Sequence, residues 1–391
     1  VYKRQNATIV HGFPLSIRSA TMEGVRPQLY PSTGSGGESA RLFEPRDDIT
    51  VIHCSLTGLD DQGQPVKNMF RPKADGLTIH VEDCTIDTDV AAIFRLDGDS
   101  LKLIIRDNII TNLVGDYNNG RGIDTRGNAQ DSMMIENNTW VNIGSRVLRT
   151  DDETWNYILF NQNTVVNTGR RILDIGRVRK AVITNNIWQD IGVIGMDTTD
   201  TFGVIWADSV ETGEQDILIS NNNFSIDTGY TNRIPDTASV VPLFNATAQA
   251  FVDEAGTGAT MTNVHVAFNN GPDPTYNLTT EFYENPNLQE SLPNFDTVGQ
   301  ATWDFGYANS ALMTGGTDGQ QLGDLRWTAV TNVRQVEAAS GSIKVFPMPV
   351  DDYANISFTL NAASDVEMSI YNIVGAKVAS VEYSRYPAGD H

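Results

Sequence analysis

The stretch VITNNIWQDI, residues 182–191, ends an apolar and β-branched run with two asparagines. The same arrangement returns as LIIRDNIITNL from 103, MMIENNTWVNI from 133, ILFNQNTVVNT from 158 and ILISNNNFSI from 217. A sharp corner between two strands requires a residue that tolerates the left-handed backbone region, and asparagine does so best after glycine. A pattern that occurs this often predicts a repeat architecture rather than an isolated turn.

The second asparagine of each run gives the period of the repeat. Cysteines take the same position in two earlier runs, VIHCSL and VEDCTI, and VAFNNG adds a later asparagine. Successive members are separated by 30, 24, 30, 25, 23, 36 and 48 residues, which indicates a period in the mid-twenties with insertions. The members are Cys54, Cys84, Asn108, Asn138, Asn163, Asn186, Asn222 and Asn270.

A second set of runs keeps step with the first, as in LFEPRDDIT from 42, IFRLDGDSLK from 93 and ILDIGR from 172. Each repeat therefore holds three short β-rich segments separated by turn residues. Strands that return to the same place in every repeat predict an all-β fold, a parallel β-helix. With coils stacked about 4.8 Å apart, the asparagine side chains are expected to form a hydrogen-bonded ladder.

Cys54 and Cys84 occupy the ladder position in adjacent coils. Their expected Cα separation suits a disulfide. Parallel side-chain directions favour the alternative, a stacked pair of buried thiols.

On these runs the sequence resembles the pectate-lyase-like superfamily of right-handed parallel β-helices, whose asparagine ladder lies at this kind of corner. The resemblance covers residues 6–330. Within it, SALMTGGTDGQQLGDLRW, residues 310–327, is similar to the closing segment often found after such helices in secreted bacterial proteins.

Charged residues follow the apolar position of the second run. Strand alternation directs the next residue outward, and also the residue two positions further along. The first outward column then reads Glu44, Arg71, Arg95, Asp124, Arg149 and Asp174, and the second reads Arg46, Lys73, Asp97, Arg126, Asp151 and Gly176.

Neighbouring coils often carry opposite charges in these columns, which supports two interpretations. One is a salt-bridge ladder, in which each exposed pair contributes about 0 to 1 kcal/mol. The other is a groove for a charged glycan, because residues 121–180 hold nine Lys or Arg and seven Asp or Glu in a chain of net charge −22. Arginine suits bidentate recognition of carboxylate or sulfate. The candidate substrate-binding residues are Arg95, Arg126, Arg146, Arg170 and Arg177.

The resemblance also implies an activity. Lyases of the superfamily commonly act on this face, where calcium or a basic side chain neutralises a uronate carboxylate while a base removes the neighbouring proton. It would give Arg149 and Arg171 catalytic roles and place calcium near Asp151 or Asp174, whereas a hydrolase would use Asp124 and Asp174. The GHG and WIDH motifs of the best-known relatives do not occur, so a non-catalytic glycan-binding module or adhesin is the alternative.

Composition argues against two other classes of protein. No apolar run reaches the roughly 18 residues of a membrane-spanning helix. The net charge of −22 disfavours nucleic acid as a partner, because phosphate binding demands an excess of Lys and Arg. We therefore expect a monomer that binds, and in the lyase interpretation cleaves, an acidic polysaccharide.

The two ends of the chain differ from the repeat region. VYKRQ, residues 1–5, matches the translated end of a sequencing-library transposon and is expected to be a cloning scar. Residues 331–344 predict a linker, and alternation in ANISFTL and VEMSIYNI predicts antiparallel strands within 345–391.

The region 345–391 resembles a truncated C-terminal sorting domain of the type IX secretion system, a small β-sandwich. FPMPVDD departs from the usual tyrosine-proline-asparagine-proline, whereas IYNIVGAKV and YPAGDH fit better. The resemblance implies a partner, the outer-membrane type IX secretion machinery. It also implies a secreted or cell-surface location in a Gram-negative bacterium.

Overall fold

The computed structural model has two compact units, Val1–Thr328 and Ala329–His391. The predicted cloning scar and all but the last residue of the predicted linker lie outside the described residues. The structure describes residues 9–11, 15–18, 21–23, 41–58, 68–89, 91–113, 119–125, 127–150, 154–192, 203–207, 215–226, 242–255, 259–272, 303–328, 344–346, 355–357, 359–360, 364–371, 377–386 and 388–391.

The first unit is a parallel β-helix in which each of the first seven coils contributes three strands. In chain order the coils contain β1 Ile9–His11, β2 Leu15–Arg18 and β3 Thr21–Glu23; β4 Arg41–Pro45, β5 Ile49–Ile52 and β6 Ser55–Thr57; β7 Asn68–Phe70, β8 Thr78–Glu82 and β9 Thr85–Asp89; β10 Ala92–Arg95, β11 Lys102–Arg106 and β12 Ile109–Leu113; β13 Arg121–Asp124, β14 Gln130–Glu136 and β15 Thr139–Ile143; β16 Leu148–Arg149, β17 Trp155–Asn161 and β18 Thr164–Thr168; β19 Leu173–Asp174, β20 Val178–Thr184 and β21 Ile187–Ile191; then β22 Ile205–Trp206 and β23 Asp216–Ser225.

The register of the coils is the one that the repeat predicts. The first strand of every coil, from β1 to β22, joins an eight-stranded parallel sheet, and the other two faces meet at β23 in a sixteen-stranded sheet. Phe43, Phe70 and Phe94 lie one above another inside the eight-stranded sheet, with 4.9 Å between successive ring centroids. Residues in equivalent repeat positions are therefore vertical neighbours.

The predicted asparagine ladder is present and buried. Asn138 Oδ1 accepts hydrogen bonds from the backbone N–H of Asn108 at 2.9 Å and from its Nδ2 at 3.0 Å. Asn163, Asn186 and Asn222 continue the same pattern coil by coil. Each asparagine thus satisfies backbone groups that would otherwise be buried without partners.

The left-handed corner belongs to the residue before each ladder position. These residues have φ between 49° and 61°, whereas the ladder asparagines do not have positive φ. Two adjacent residues therefore divide the roles of corner and ladder. The corner residues are His53, Asp83, Asp107, Asn137, Gln162, Asn185 and Asn221.

A second, shorter ladder was not predicted from the sequence. Asn142 Nδ2 donates to Asn112 Oδ1 at 3.0 Å, and Asn167 Nδ2 donates to Asn142 Oδ1 at 3.2 Å. Each of the three combines positive φ with the stacked amide in one residue. This ladder lies at the other end of β12, β15 and β18.

The two cysteines extend the first ladder as buried thiols that are not joined by a disulfide. Cys84 Sγ accepts the backbone N–H of Cys54 at 3.3 Å, and the N–H of Cys84 donates to Asn108 Oδ1 at 2.9 Å. The predicted later member, Asn270, does not join the ladder. It is exposed and forms an antiparallel bridge with Asp304, because the register after Asn222 continues to Met261 instead.

A helix that the repeat pattern did not reveal packs at the end of the core. Helix α1, Ala246–Ala255, follows β23 and places Ala248 in the core cluster. Asn245 caps it by accepting the N–H of Ala248 at 3.1 Å. Strand β24, Ala259–Thr262, then pairs with β23.

The second unit contains antiparallel strand pairs. The strands are β25 Lys344–Phe346, β26 Asn355–Ser357, β27 Thr359–Leu360, β28 Ser364–Tyr371, β29 Lys377–Tyr386 and β30 Gly389–Asp390. They pair as β25 with β26, β27 with β30 and β28 with β29.

None of the helices in the described ranges is long and apolar enough to span a membrane.

Candidate functional site

The outer face of the eight-stranded sheet carries the charged columns in the predicted register. In the register of adjacent strands, Arg95 lies beside Asp124, and Asp124 lies beside Arg149 of the next coil. Asp174 lies beside Trp206, so the first column ends in an aromatic residue. Arg126 and Asp151 of the second column lie outside the described residues.

Asp97 is the centre of one charged cluster on this face. Its carboxylate lies 2.7 Å from Arg71 Nε, 2.6 Å from Lys73 Nζ and 3.0 Å from Arg95 Nε. Burial alone would raise the pKa of Asp97, but hydrogen bonds from Lys73, Arg71 and Arg95 outweigh it and lower the pKa to about 2. The carboxylate is therefore charged at neutral pH, and the cluster keeps two positive charges in excess.

Glu44 is the centre of a similar cluster within one earlier coil. Arg46 donates to Glu44 Oε1 at 2.8 Å, and Arg41 contacts the other carboxylate oxygen. Burial raises the pKa of Glu44, whereas the two arginines lower it further than burial raises it. Among the described cations of the charged columns, Arg46 is the most exposed, with 58% of its side chain accessible.

In later coils the predicted carboxylates are buried in ion pairs. Asp124 contacts Arg121 at 2.7 Å and Arg149 at 3.3 Å. Asp174 is 0% exposed and contacts Arg146 at 3.2 Å and Arg171 at 2.8 Å. Each carboxylate is thus held between two guanidinium groups.

The structure contains a column of stacked arginines that was not predicted from the sequence. Arg121, Arg146 and Arg171 each precede the core position of β13, β16 and β19 by two residues, so they stack in successive coils. Burial lowers the pKa of Arg121 to about 10; Asp124 opposes this change, and the nearby charges of Arg149 and Arg146 add to it. The repeated phrases RGID, RVLR and RILD are the signal that could have revealed the column.

Cations outnumber carboxylates on this face. In the three columns, together with Arg41, which precedes Phe43 by two residues, the described residues include nine cations and four carboxylates, within a chain of net charge −22. The cations are Arg41, Arg46, Arg71, Lys73, Arg95, Arg121, Arg146, Arg149 and Arg171, and the carboxylates are Glu44, Asp97, Asp124 and Asp174.

Exposure separates the most accessible cations of this face from the buried arginines, with Arg41 and Arg71 between the two groups at 15% and 13%. Arg46, Lys73, Arg95 and Arg149 have 58%, 35%, 25% and 22% of their side chains accessible; we name these four residues the cationic patch. Four other arginines, at most 6% exposed, form a buried layer. They are Arg121, Arg146, Arg170 and Arg171.

The predicted site residues therefore differ in their accessibility to a ligand. Arg95 and Arg149 lie where a ligand can reach them, whereas Arg146, Arg170 and Arg171 are buried. Arg171 lies over the ring of Trp206, 4.0 Å from its centroid, which is the geometry of a cation–π contact.

Arg177 lies just before β20, where its backbone carbonyl accepts the N–H of Trp155. Among the residues that the structure describes, no group of three or more His, Cys, Asp or Glu side chains is arranged to hold a metal ion.

The comparison with protein families concerns the second unit. Residues 344–388 match the family described as Secretion system C-terminal sorting domain, which confirms the sorting domain predicted from the sequence. No curated protein and no solved structure matches the chain. The protein is therefore a β-helix protein that its type IX sorting domain directs to the secretion machinery, and it is secreted or displayed on the surface of a Gram-negative bacterium of the Bacteroidetes type.

Proposed function

We propose that the β-helix binds an acidic polysaccharide outside the cell through the cationic patch. The observation that carries this proposal is the excess of cations on one face, four of them accessible, in a chain that is strongly acidic. A protein with net charge −22 repels polyanions at long range, so local attraction requires a concentrated positive surface. Exposed guanidinium groups are suited to carboxylate and sulfate.

The arrangement of the patch favours an extended ligand. Its members come from separate coils, and coils repeat about every 4.8 Å along the helix axis. A linear polymer that carries an acidic group on successive sugars can contact several of these coils at once. Multiple weak contacts of this kind add up to useful affinity without a deep pocket.

Binding without turnover is the form of the proposal that the geometry supports best. A general base or nucleophile must reach the substrate, whereas Asp124 and Asp174 are buried and each contacts two arginines. Arg171, the second catalytic candidate, is also buried. A lyase reaction with Arg149 at the substrate, and with calcium near Asp151 or Asp174, stays a prediction that the same experiment tests.

The test is a panel of polysaccharides assayed for binding and for product. Alginate, pectate and a sulfated glycan, each with and without calcium, are compared with neutral glucans by calorimetry, and ultraviolet absorbance follows the formation of unsaturated ends. We expect binding of at least one polyanion, no binding of neutral glucans and no rise in absorbance. Absence of binding to every polyanion would refute the proposal, and a rise in absorbance would establish the lyase alternative.

A further inference from the structure

Residues 303–328, which we name the clasp, cover the outer face of β15, β18 and β21. Phe305 packs on Val141 and Val166. Further along, Leu312 and Leu322 pack with Ile187 in a second apolar cluster. The clasp therefore buries an apolar surface on the side of the β-helix rather than at its end.

Hydrogen bonds tie the clasp to the left-handed corner residues. Asn185 Oδ1 accepts the N–H of Thr317 at 2.9 Å, and the carbonyl of Asn185 accepts the N–H of Gly323 at 2.7 Å. Two coils earlier, Asn137 Oδ1 accepts the N–H of Leu325 at 2.6 Å. The corner column thus provides both the turns of the β-helix and the attachment points of the clasp.

Asp324 is buried where the clasp meets β15 and β18, with 1% of its surface exposed. Its carboxylate accepts the hydroxyl of Thr139 at 2.7 Å and the backbone N–H of Arg326 at 2.9 Å. Its own N–H donates to Thr164 Oγ1 at 2.9 Å. Both donors to the carboxylate are neutral groups, which compensate a buried charge poorly.

Two charged side chains face Asp324 from the packed elements. Asp107, at the corner before β12, opposes ionisation of Asp324, whereas the Arg326 guanidinium favours it. Arg326 is directed mainly elsewhere, because its Nη2 donates to the Asp107 carbonyl and lies 3.6 Å from the Asp83 carboxylate. Burial is the largest influence and raises the pKa of Asp324 to about 6.

We propose that residues 303–328 form a pH-sensitive clasp, which holds the β-helix more tightly when the Asp324 carboxyl is protonated. Opening of the clasp exposes this carboxyl to water, where its pKa returns toward the ordinary value of 3.8. The closed state therefore binds the proton better than the open state does. Closure is strongest below about pH 4 and weakens as the pH rises to about 6.

The experiment is hydrogen exchange of backbone amides in residues 320–328 of the whole protein. Protection factors are measured at about pH 4.5 and about pH 7.5 and are corrected for the intrinsic exchange rate. We expect protection to be on the order of 30-fold greater at the lower pH. Asp324→Asn removes the titrating group and should remove this dependence.

Two further variants separate the clasp from general effects of pH. Asp318 is an exposed carboxylate of the same segment, so Asp318→Asn should retain the pH dependence of the wild type. Thr139→Val removes a donor to the Asp324 carboxylate and should move the transition to higher pH. Equal protection of wild-type residues 320–328 at both pH values, or a transition that Thr139→Val leaves unmoved, would overturn the proposal.

Discussion

At the scale of single residues, the corner and the ladder explain why asparagine recurs in pairs. The first residue of a pair adopts the left-handed conformation, and the second turns its amide into the core. Asp83 and Asp107 can replace the first asparagine because aspartate also tolerates positive φ. The second position needs an amide that donates and accepts along the column, or a small group such as Cys84, which accepts the N–H of Cys54.

Removal of one ladder amide should be costly. Asn163 accepts hydrogen bonds from the N–H and Nδ2 of Asn138 and donates to the carbonyl of Ile135 at 2.9 Å. Asn163→Ala leaves these buried groups without partners, so we expect a loss of about 3 to 5 kcal/mol in the free energy of unfolding. Urea unfolding measures this loss.

Asn156 provides the control for this variant. It is exposed, and its side-chain hydrogen bonds within the described part of the chain are long, 3.4 Å with Asp131 and 3.3 Å with Arg179. Asn156→Ala should change the stability by less than about 0.5 kcal/mol. Similar losses for the two variants would show that the ladder is not a special source of stability.

Gln162 differs from the other corner residues, which are Asn, Asp or His, because glutamine tolerates positive φ less well than these residues do. Its φ is 56°, and no group in the described part of the chain donates a hydrogen bond to its buried Oε1. Gln162→Asn should therefore stabilise the protein by about 0.5 to 1 kcal/mol. Thermal unfolding measures the change; a lower melting temperature would show that the longer side chain contributes packing that outweighs its strain.

At the scale of elements, the ion pairs of the charged face stabilise the fold, and we propose that its accessible cations bind the ligand. Substitution of Asp97 tests these two roles separately. The pKa of Asp97 is lowered from 3.8 to about 2, so this residue contributes stability above about pH 4 that is lost as the pH falls to about 2. Asp97→Asn should lower the free energy of unfolding by at most about 2 kcal/mol at pH 7 and by almost nothing near pH 2. Urea unfolding at several pH values measures this difference.

The same variant should strengthen binding of an acidic polysaccharide, because Arg71, Lys73 and Arg95 lose their shared counter-ion. A purely structural salt-bridge ladder predicts the loss of stability alone. Weaker binding by Asp97→Asn would contradict the assignment of these cations to the ligand.

The clasp is the second element whose role can be measured. Phe305 is 1% exposed and contacts the rings of Phe268, Trp303 and Trp327, with centroid distances of 5.1, 6.1 and 5.5 Å. Phe305→Ala should cost about 3 kcal/mol, measured by urea unfolding. Leu218→Ala is the control, because Leu218 is 41% exposed; an equal cost for both variants would mean that the clasp adds little stability.

At the scale of the whole molecule, the repeat made the fold predictable. The apolar runs and their asparagines return in every coil, so the register of Phe43, Phe70 and Phe94 follows from alignment alone. Asn270 was wrongly included because VAFNNG resembles a ladder phrase but follows β24, where the chain has left the coil register. Helix α1 is not part of the repeat, so the spacing of the repeated runs could not predict it.

The site was less predictable than the fold, because strand alternation predicts which way a side chain points but not how deeply it is buried. It places Arg95 and Asp174 in the same outward column, yet Arg95 is accessible and Asp174 is buried between Arg146 and Arg171. The outward carboxylates were candidates for catalysis as long as their partners were unknown. The pairing of Asp124 with both Arg121 and Arg149 depends on an arginine column that the alternation rule did not consider.

The most direct test of the central claim compares two triple variants of equal charge. The patch variant carries Arg46→Gln, Lys73→Gln and Arg95→Gln; the control carries Lys102→Gln, Arg106→Gln and Lys180→Gln, which lie on another face with 55%, 41% and 52% of their side chains exposed. The measurement is the dissociation constant for the polyanion that binds in the panel, at several salt concentrations. The account predicts at least about a tenfold weaker binding and a smaller salt dependence for the patch variant alone. Equal effects of the two triple variants would contradict it, because binding would then follow net charge and not the cationic patch.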